Sequence, residues 1–283
     1  MSSPESADYI PQFKDPHSFV DIAMDVVIDG DVAWMVGMSQ GKHNDDEDAA
    51  KYLRGILVPK NLHTGKAAGS AIVAPPRALW PQSAFFGAAL HPEGVVVTGY
   101  GCDETCSKHR IETSRYSVDG TRTWFTTDAT NSGLAYGSDV ALDSQGRALV
   151  AGAVTQNGTL RGYVFGREVG EDKGPILFDH WYPGAGSSEA LGIVRDTFDR
   201  IFPAGYSTVD GEAQKWRGEA ASRPDACGAP LHLVGGVTGP GGHRAAREPG
   251  RLCGRPAGRP GWPARWPPGA RPSAAGVAIS ATW

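Results

Sequence analysis

At 283 residues with 38 glycines and 21 prolines, the chain is long enough for one large or two modest domains and too rich in turn formers for a helical bundle. No apolar run reaches the length of about 18 residues that a spanning helix needs, and Met1-Ser2-Ser3-Pro4-Glu5-Ser6 has neither the basic nor the apolar part of a signal peptide. The formal net charge of -4 gives no reason to expect a nucleic-acid partner, yet it hides an asymmetry: residues 1–212 hold 17 Lys+Arg against 28 Asp+Glu (net -11), and residues 213–283 hold 10 against 3 (net +7).

Along the chain, a strand ending in a glycine between small or aromatic neighbours recurs four times: Met35-Val36-Gly37-Met38, Val97-Thr98-Gly99-Tyr100, Val150-Ala151-Gly152-Ala153 and Pro203-Ala204-Gly205-Tyr206. The glycines are 62, 53 and 53 residues apart. Each is preceded by a tight turn and an earlier strand: Asp25 to Ile28 before Asp29-Gly30, Ala88 to Leu90 before His91-Pro92-Glu93-Gly94, Asp139 to Leu142 before Asp143-Ser144-Gln145-Gly146, and Gly192 to Arg195 before Asp196 to Asp199. Asp, Asn and Gly tolerate the backbone of short β-turns, and the Val, Ile, Leu and Ala between them suit strands covered on both faces, so these inner strands are expected to be the apolar ones.

A polar loop and an outer hairpin follow each glycine. They are clearest at Ile111 to Val118, turn Asp119-Gly120, Thr121 to Thr127, and at Leu160 to Val169, turn Asp172-Lys173-Gly174, Pro175 to Tyr182. The first unit departs most, because its insertion between Gly37 and Gly99 leaves its outer strands unassigned. A four-stranded unit of this size cannot bury both faces alone and must stack on its neighbours, with Trp124 and Trp181 filling the widening gap between outer strands.

The runs Ser138-Asp139-Val140-Ala141-Leu142-Asp143-Ser144-Gln145-Gly146-Arg147 and Ser114-Arg115-Tyr116-Ser117-Val118-Asp119-Gly120-Thr121-Arg122-Thr123-Trp124 resemble the two halves of the bacterial β-propeller repeat of large envelope and secreted proteins, as in myxobacteria. The likeness covers most of residues 20–212, and its matching positions are turn and core residues, silent about function. It implies an all-β fold, a partial or small propeller of four-stranded antiparallel blades, and an extracellular or envelope location. Propellers close with about four to eight blades, so the resemblance also implies a fragment of a longer array. The expected organisation is an extension over residues 1–19, about three and a half blades over 20–212, and a tail over 213–283.

That tail holds 14 Ala, 13 Gly, 10 Pro and 9 Arg among its 71 residues, with no Phe, Tyr or Asn. Such a composition builds no core and matches shifted reading of GC-rich DNA, so a disordered or out-of-frame segment is expected.

Candidate chemistry is sparse. Gly37-Met38-Ser39-Gln40-Gly41 fits the G-x-S-x-G pattern of a nucleophile elbow, with a helix conceivable over Asp45 to Leu57, but alignment on Gly37 puts Gly101, Val154 and Ser207 where Ser39 stands. Ser117 to Trp124 is close to the Asp-box of sialidases, a turn-ordering device, with Thr121 in place of the box's glycine. A sialidase would further need three convergent arginines, a Tyr with a Glu and an acidic residue near the axis, which no spacing assigns. Cys102 and Cys106 suit either a small disulfide loop or two free thiols, and with His109 they lack a fourth ligand for zinc. The run Asn44-Asp45-Asp46-Glu47-Asp48 lacks the alternation of a calcium loop. No catalytic, cofactor or metal residue is assigned. The expected function is a non-catalytic scaffold or binding module whose loops meet a protein or polysaccharide, without nucleic acid, membrane span or cofactor. The alternative is a propeller-type glycoside hydrolase, sialidase-like, or another hydrolase fragment.

Overall fold

The computed structural model describes residues 18–41, 52–170, 175–182, 186–209, 212–218 and 235–237. The chain divides into Met1–Gly242 and His243–Trp283, and every described strand belongs to the first. These strands form four antiparallel sheets, each a meander in chain order, with no helix among the described residues. The first holds β1 (Ser18–Asp29), β2 (Val32–Gly41), β3 (Arg54–Asn61) and β4 (Ile72–Val73). The second holds β5 (Gln82–His91), β6 (Gly94–Cys102), β7 (Lys108–Tyr116) and β8 (Arg122–Ser132). The third holds β9 (Ala135–Leu142), β10 (Ala148–Gln156), β11 (Thr159–Arg167) and β12 (Ile176–Trp181). The fourth holds β13 (Ser188–Arg195), β14 (Ile201–Val209), β15 (Glu212–Gly218) and β16 (Gly235–Val237). It therefore runs past the composition break at residue 213, where β15 pairs with β14 and then with β16. The turn residues Asp172-Lys173-Gly174 lie outside the described residues.

The recurring glycine has a steric cause. In every sheet the first strand carries one extra residue, Met24, Phe86, Ser138 or Leu191, opposite the Gly37, Gly99, Gly152 or Gly205 region of the second strand. Such a bulge bends the strand and thrusts a carbonyl toward its neighbour. A Cβ on Gly37, Gly99 or Gly152 would stand 1.9, 1.8 or 2.1 Å from the carbonyl oxygen of Ile22, Ala84 or Tyr136 respectively. No side chain fits, and that is why the periodicity shows in the sequence at all.

The residue after the bulge alternates: Asp25, Gly87, Asp139, Gly192. Asp25 accepts from its neighbour Val26 N (2.7 Å) and from Ala88 N (2.9 Å) of the next sheet. Asp139 does the same for Val140 N and Ile193 N, both at 2.8 Å. A second device keeps the same alternation: Ser83 Oγ accepts from Gly55 N at 3.0 Å and Ser188 Oγ from Gly162 N at 2.9 Å. The sheets thus pair one with two and three with four through identical bridges. Sheets two and three join differently, with Gly87 against the Asp139 backbone and a buried ion pair between Asp128 and Arg167.

Burial peaks on the second and third strands, so of the two strands in each inner hairpin it is the second that is most buried. Val95, Val96 and Val97 of β6 and Leu149, Val150 and Ala151 of β10 are each at most 2% exposed. These strands are covered by a sheet on each face, whereas the first strand is a sheet edge and alternates in burial. Three apolar clusters fill the three gaps between consecutive sheets. Trp124 is 3% exposed, and Trp181 lies 4.3 Å from the Tyr163 ring, in the outer part of its gap as anticipated.

Gly99→Ala should destabilise the protein by about 3 kcal/mol in urea unfolding, since one strand must shift to admit the methyl. Gly170→Ala, with nothing within 4 Å of the added carbon, should stay within about 0.5 kcal/mol of the parent.

Candidate functional site

Strand β7 is unusually polar for a buried strand, and its alternation explains where the charges go. Ile111, Thr113 and Arg115 point to one face, and Arg110, Glu112, Ser114 and Tyr116 to the other, the face toward the first sheet where Tyr116 joins the apolar cluster with Trp34 and Phe85. Arg110 and Glu112 are 7% and 3% exposed. Arg110 Nη2 stands 3.9 Å from Glu112 Oε2, an ion pair too long for a hydrogen bond, and among the described residues neither Nε nor Nη2 of Arg110 has a hydrogen-bond partner.

Two more guanidinium groups converge there. Arg77 comes from the loop between β4 and β5, where Trp80 N donates to its carbonyl, and its guanidinium carbon lies 3.0 Å from the centre of the Phe125 ring. Arg122, at the start of β8, lies 5.0 Å from the same ring, and Arg110 lies 4.4 Å from the Trp80 ring. Burial pushes the Arg77 guanidinium down to about 10, and neighbouring Arg122 and Arg110 push the same way against the opposing pull of Glu112. Burial likewise raises Glu112, while Arg77, Arg110 and Arg122 hold it down. Three cations therefore face one carboxylate, beside two aromatic residues, Trp80 and Phe125, that are partly buried.

The cluster combines three arginines, a Glu and a Tyr, the set that no spacing could assign. It sits on the third and fourth strands and a loop, away from the first strands that pack on one another. Tyr116 is 1% exposed, its ring edge-on to Phe85 at 5.9 Å, and burial raises its hydroxyl far above the ordinary value.

The other candidates resolve separately. Ser39 lies within β2, fully buried, and its hydroxyl donates to Asp21 at 2.5 Å. It is not on a strand-to-helix turn, and Arg54 to Leu57 belongs to β3 rather than a helix, so the elbow reading fails. Residues 44–48 lie outside the described residues. Cys102 and Cys106 are joined in a disulfide. Asp103 ties their loop by accepting from Ser107 N and Ser107 Oγ, both at 2.7 Å. Ligand atoms of Cys102, Cys106 and His109 lie within 4.8 Å of one another, but with both sulfurs bonded only the His109 ring remains to ligate. In the Asp-box-like turn, Asp119 accepts from Ser117 Oγ and from Thr121 N at 3.0 Å. No described helix is long and apolar enough to cross a membrane, which says nothing of a β-barrel.

Fold and cluster together define an all-β protein of four face-to-face antiparallel meanders with an arginine cluster on the face of β7 toward the first sheet. Compared with known proteins, the chain matches no family profile and no curated sequence.

Removing the carboxylate by Glu112→Gln leaves buried guanidinium charge uncompensated, and should cost about 3 kcal/mol or more of stability in urea unfolding. At the Asp119 turn, the Ser117 hydroxyl first and then the Thr121 N–H hold the carboxyl below its ordinary 3.8. Because the folded value is the lower one, this contribution is full above 3.8 and is lost as pH falls through the depressed value. Asp119→Asn should therefore flatten the loss of stability below about pH 4, read from urea midpoints.

Proposed function

We propose that the chain is a non-catalytic β-propeller repeat protein, a binding module of the cell envelope or secreted fraction, whose arginine cluster at Arg77, Arg110 and Arg122 takes an acidic group from a polysaccharide or protein partner. One observation carries this reading: the guanidinium groups of Arg77, Arg110 and Arg122 gather within 6 Å of the Phe125 ring against the single carboxylate of Glu112, which leaves the cluster cationic. A carboxylate or sulfate would accept from two guanidinium N–H groups at once. The partly exposed Trp80 and Phe125 side chains add apolar surface beside the cluster.

The resemblance to the envelope and secreted repeat family supports the location, and so does the Cys102–Cys106 disulfide, a bond that persists in oxidising compartments. The second reading, a sialidase-like glycoside hydrolase, draws on the convergence of Arg77, Arg110 and Arg122 with Tyr116 and Glu112. It fares worse, because a phenol that is 1% exposed and kept protonated by burial neither reaches a sugar nor acts as a nucleophile.

Isothermal titration with polygalacturonate, dextran sulfate and neutral dextran separates the readings. Binding of the acidic polymers alone is expected, weakened by salt and at least about tenfold by Arg77→Ala combined with Arg122→Ala. Equal binding of neutral dextran, or no effect of the double substitution, contradicts the proposal. Hydrolysis of an acidic glycoside that is lost in Tyr116→Phe would favour the enzyme.

A further inference from the structure

The alternation between sheets leaves two surfaces unmatched. Val26, on the side of the first sheet away from the second, is 49% exposed, whereas its equivalents Ala88, Val140 and Ile193 are 6%, 3% and 3% exposed because a preceding sheet covers them. Two residues on, Ile28 is 56% exposed. At the other end, Val194 of the fourth sheet is 61% exposed, while its equivalents Val27, Ala89 and Ala141 pack against the apolar clusters between sheets. The first strands pack in sequence, β1 on β5, β5 on β9 and β9 on β13, and among the described residues no comparable packing joins β13 to β1. One end presents the leading face of a sheet-to-sheet interface, and the other presents the trailing face.

Gly192 points independently to an occupant. At the equivalent Gly87, an added Cβ would lie 2.6 Å from Asp139 Cα of the following sheet, so glycine is required there. At Gly192 the nearest atom would be Asp139 Oδ2 at an ordinary 3.7 Å, and its φ is not in the left-handed region. Among the described residues nothing demands a glycine at 192. A following sheet seated as the third sits on the second would demand it, and the sheet whose Asp occupies the matching position is the first, with Asp25.

We propose that two copies of this chain associate head to tail, the fourth sheet of each seated on the first sheet of the other, with Gly192 lying against the partner's Asp25. The contact is heterologous, and with two copies it closes on itself as an eight-sheet ring whose even number preserves the Asp/Gly alternation. It repeats the packing of sheet two on sheet three and rests on that interface alone, independent of any acidic ligand.

Sedimentation velocity of the full chain tests it. A species of twice the chain mass is expected. Gly192→Arg on the trailing face and Val26→Glu on the leading face should each weaken association at least about tenfold, with far-UV circular dichroism unchanged. Mixing the two variants, each with one intact face, should restore a heterodimer. If Gly192→Arg misfolds, Val194→Glu probes the same face. A monomeric parent chain overturns the proposal, and so does a dimer broken by Val26→Glu yet indifferent to both trailing-face substitutions, which would mean leading face against leading face.

Discussion

A backbone carbonyl turned toward its neighbour strand is the constraint from which the rest of this structure follows. Each first strand bulges by one residue, the displaced carbonyl occupies the space of a side chain on the second strand, and glycine is the residue that remains possible there. The bulge bends the strand and turns the next residue toward the adjoining sheet. Where that residue is Asp, its carboxylate accepts an amide from each of two sheets; where it is Gly, the neighbouring backbone approaches closely. Apolar burial supplies the bulk of the stabilisation, at about 1.5–3 kcal/mol for each large side chain fully removed from water. The bulges and their bridges fix which faces meet.

The fold was legible because this constraint acts at one position per unit. The four glycines, their spacing and the Asp/Gly turns gave the meanders and most strand positions, and the two outer hairpins were read from their turns. The order of burial along each meander was not legible, since Val, Ile and Ala fill first and second strands alike and only packing on both sides separates them. Nor was the pairing of sheets, because Asp25 and Asp139, or Ser83 and Ser188, recur at twice the repeat length and look like variation within a single repeat. The outer strands of the first sheet were hidden by an atypical insertion and by a fourth strand of two residues, Ile72–Val73.

The cationic cluster was half visible. Arg110, Glu112 and Tyr116 alternate on one strand, and that alternation alone places them on one face. Arg77 reaches them from a proline-bounded loop with no counterpart in the other units, so no repeat alignment finds it. Ser39 misled in the opposite way: its motif was complete, but its strand continues through the serine and buries it against Asp21. In both cases the position of a residue in the pleat, more than its local pattern, determined whether chemistry is available to it.

Amide hydrogen exchange at Ala88 and Ile193 tests the bridging account most directly, since these N–H groups are satisfied by carboxylates of the preceding sheet. The account predicts protection close to that of global unfolding at both amides, lost at Ala88 in Asp25→Ala and at Ile193 in Asp139→Ala. Exchange in the parent protein as fast as at loop amides would mean that the sheets are not held together in this way.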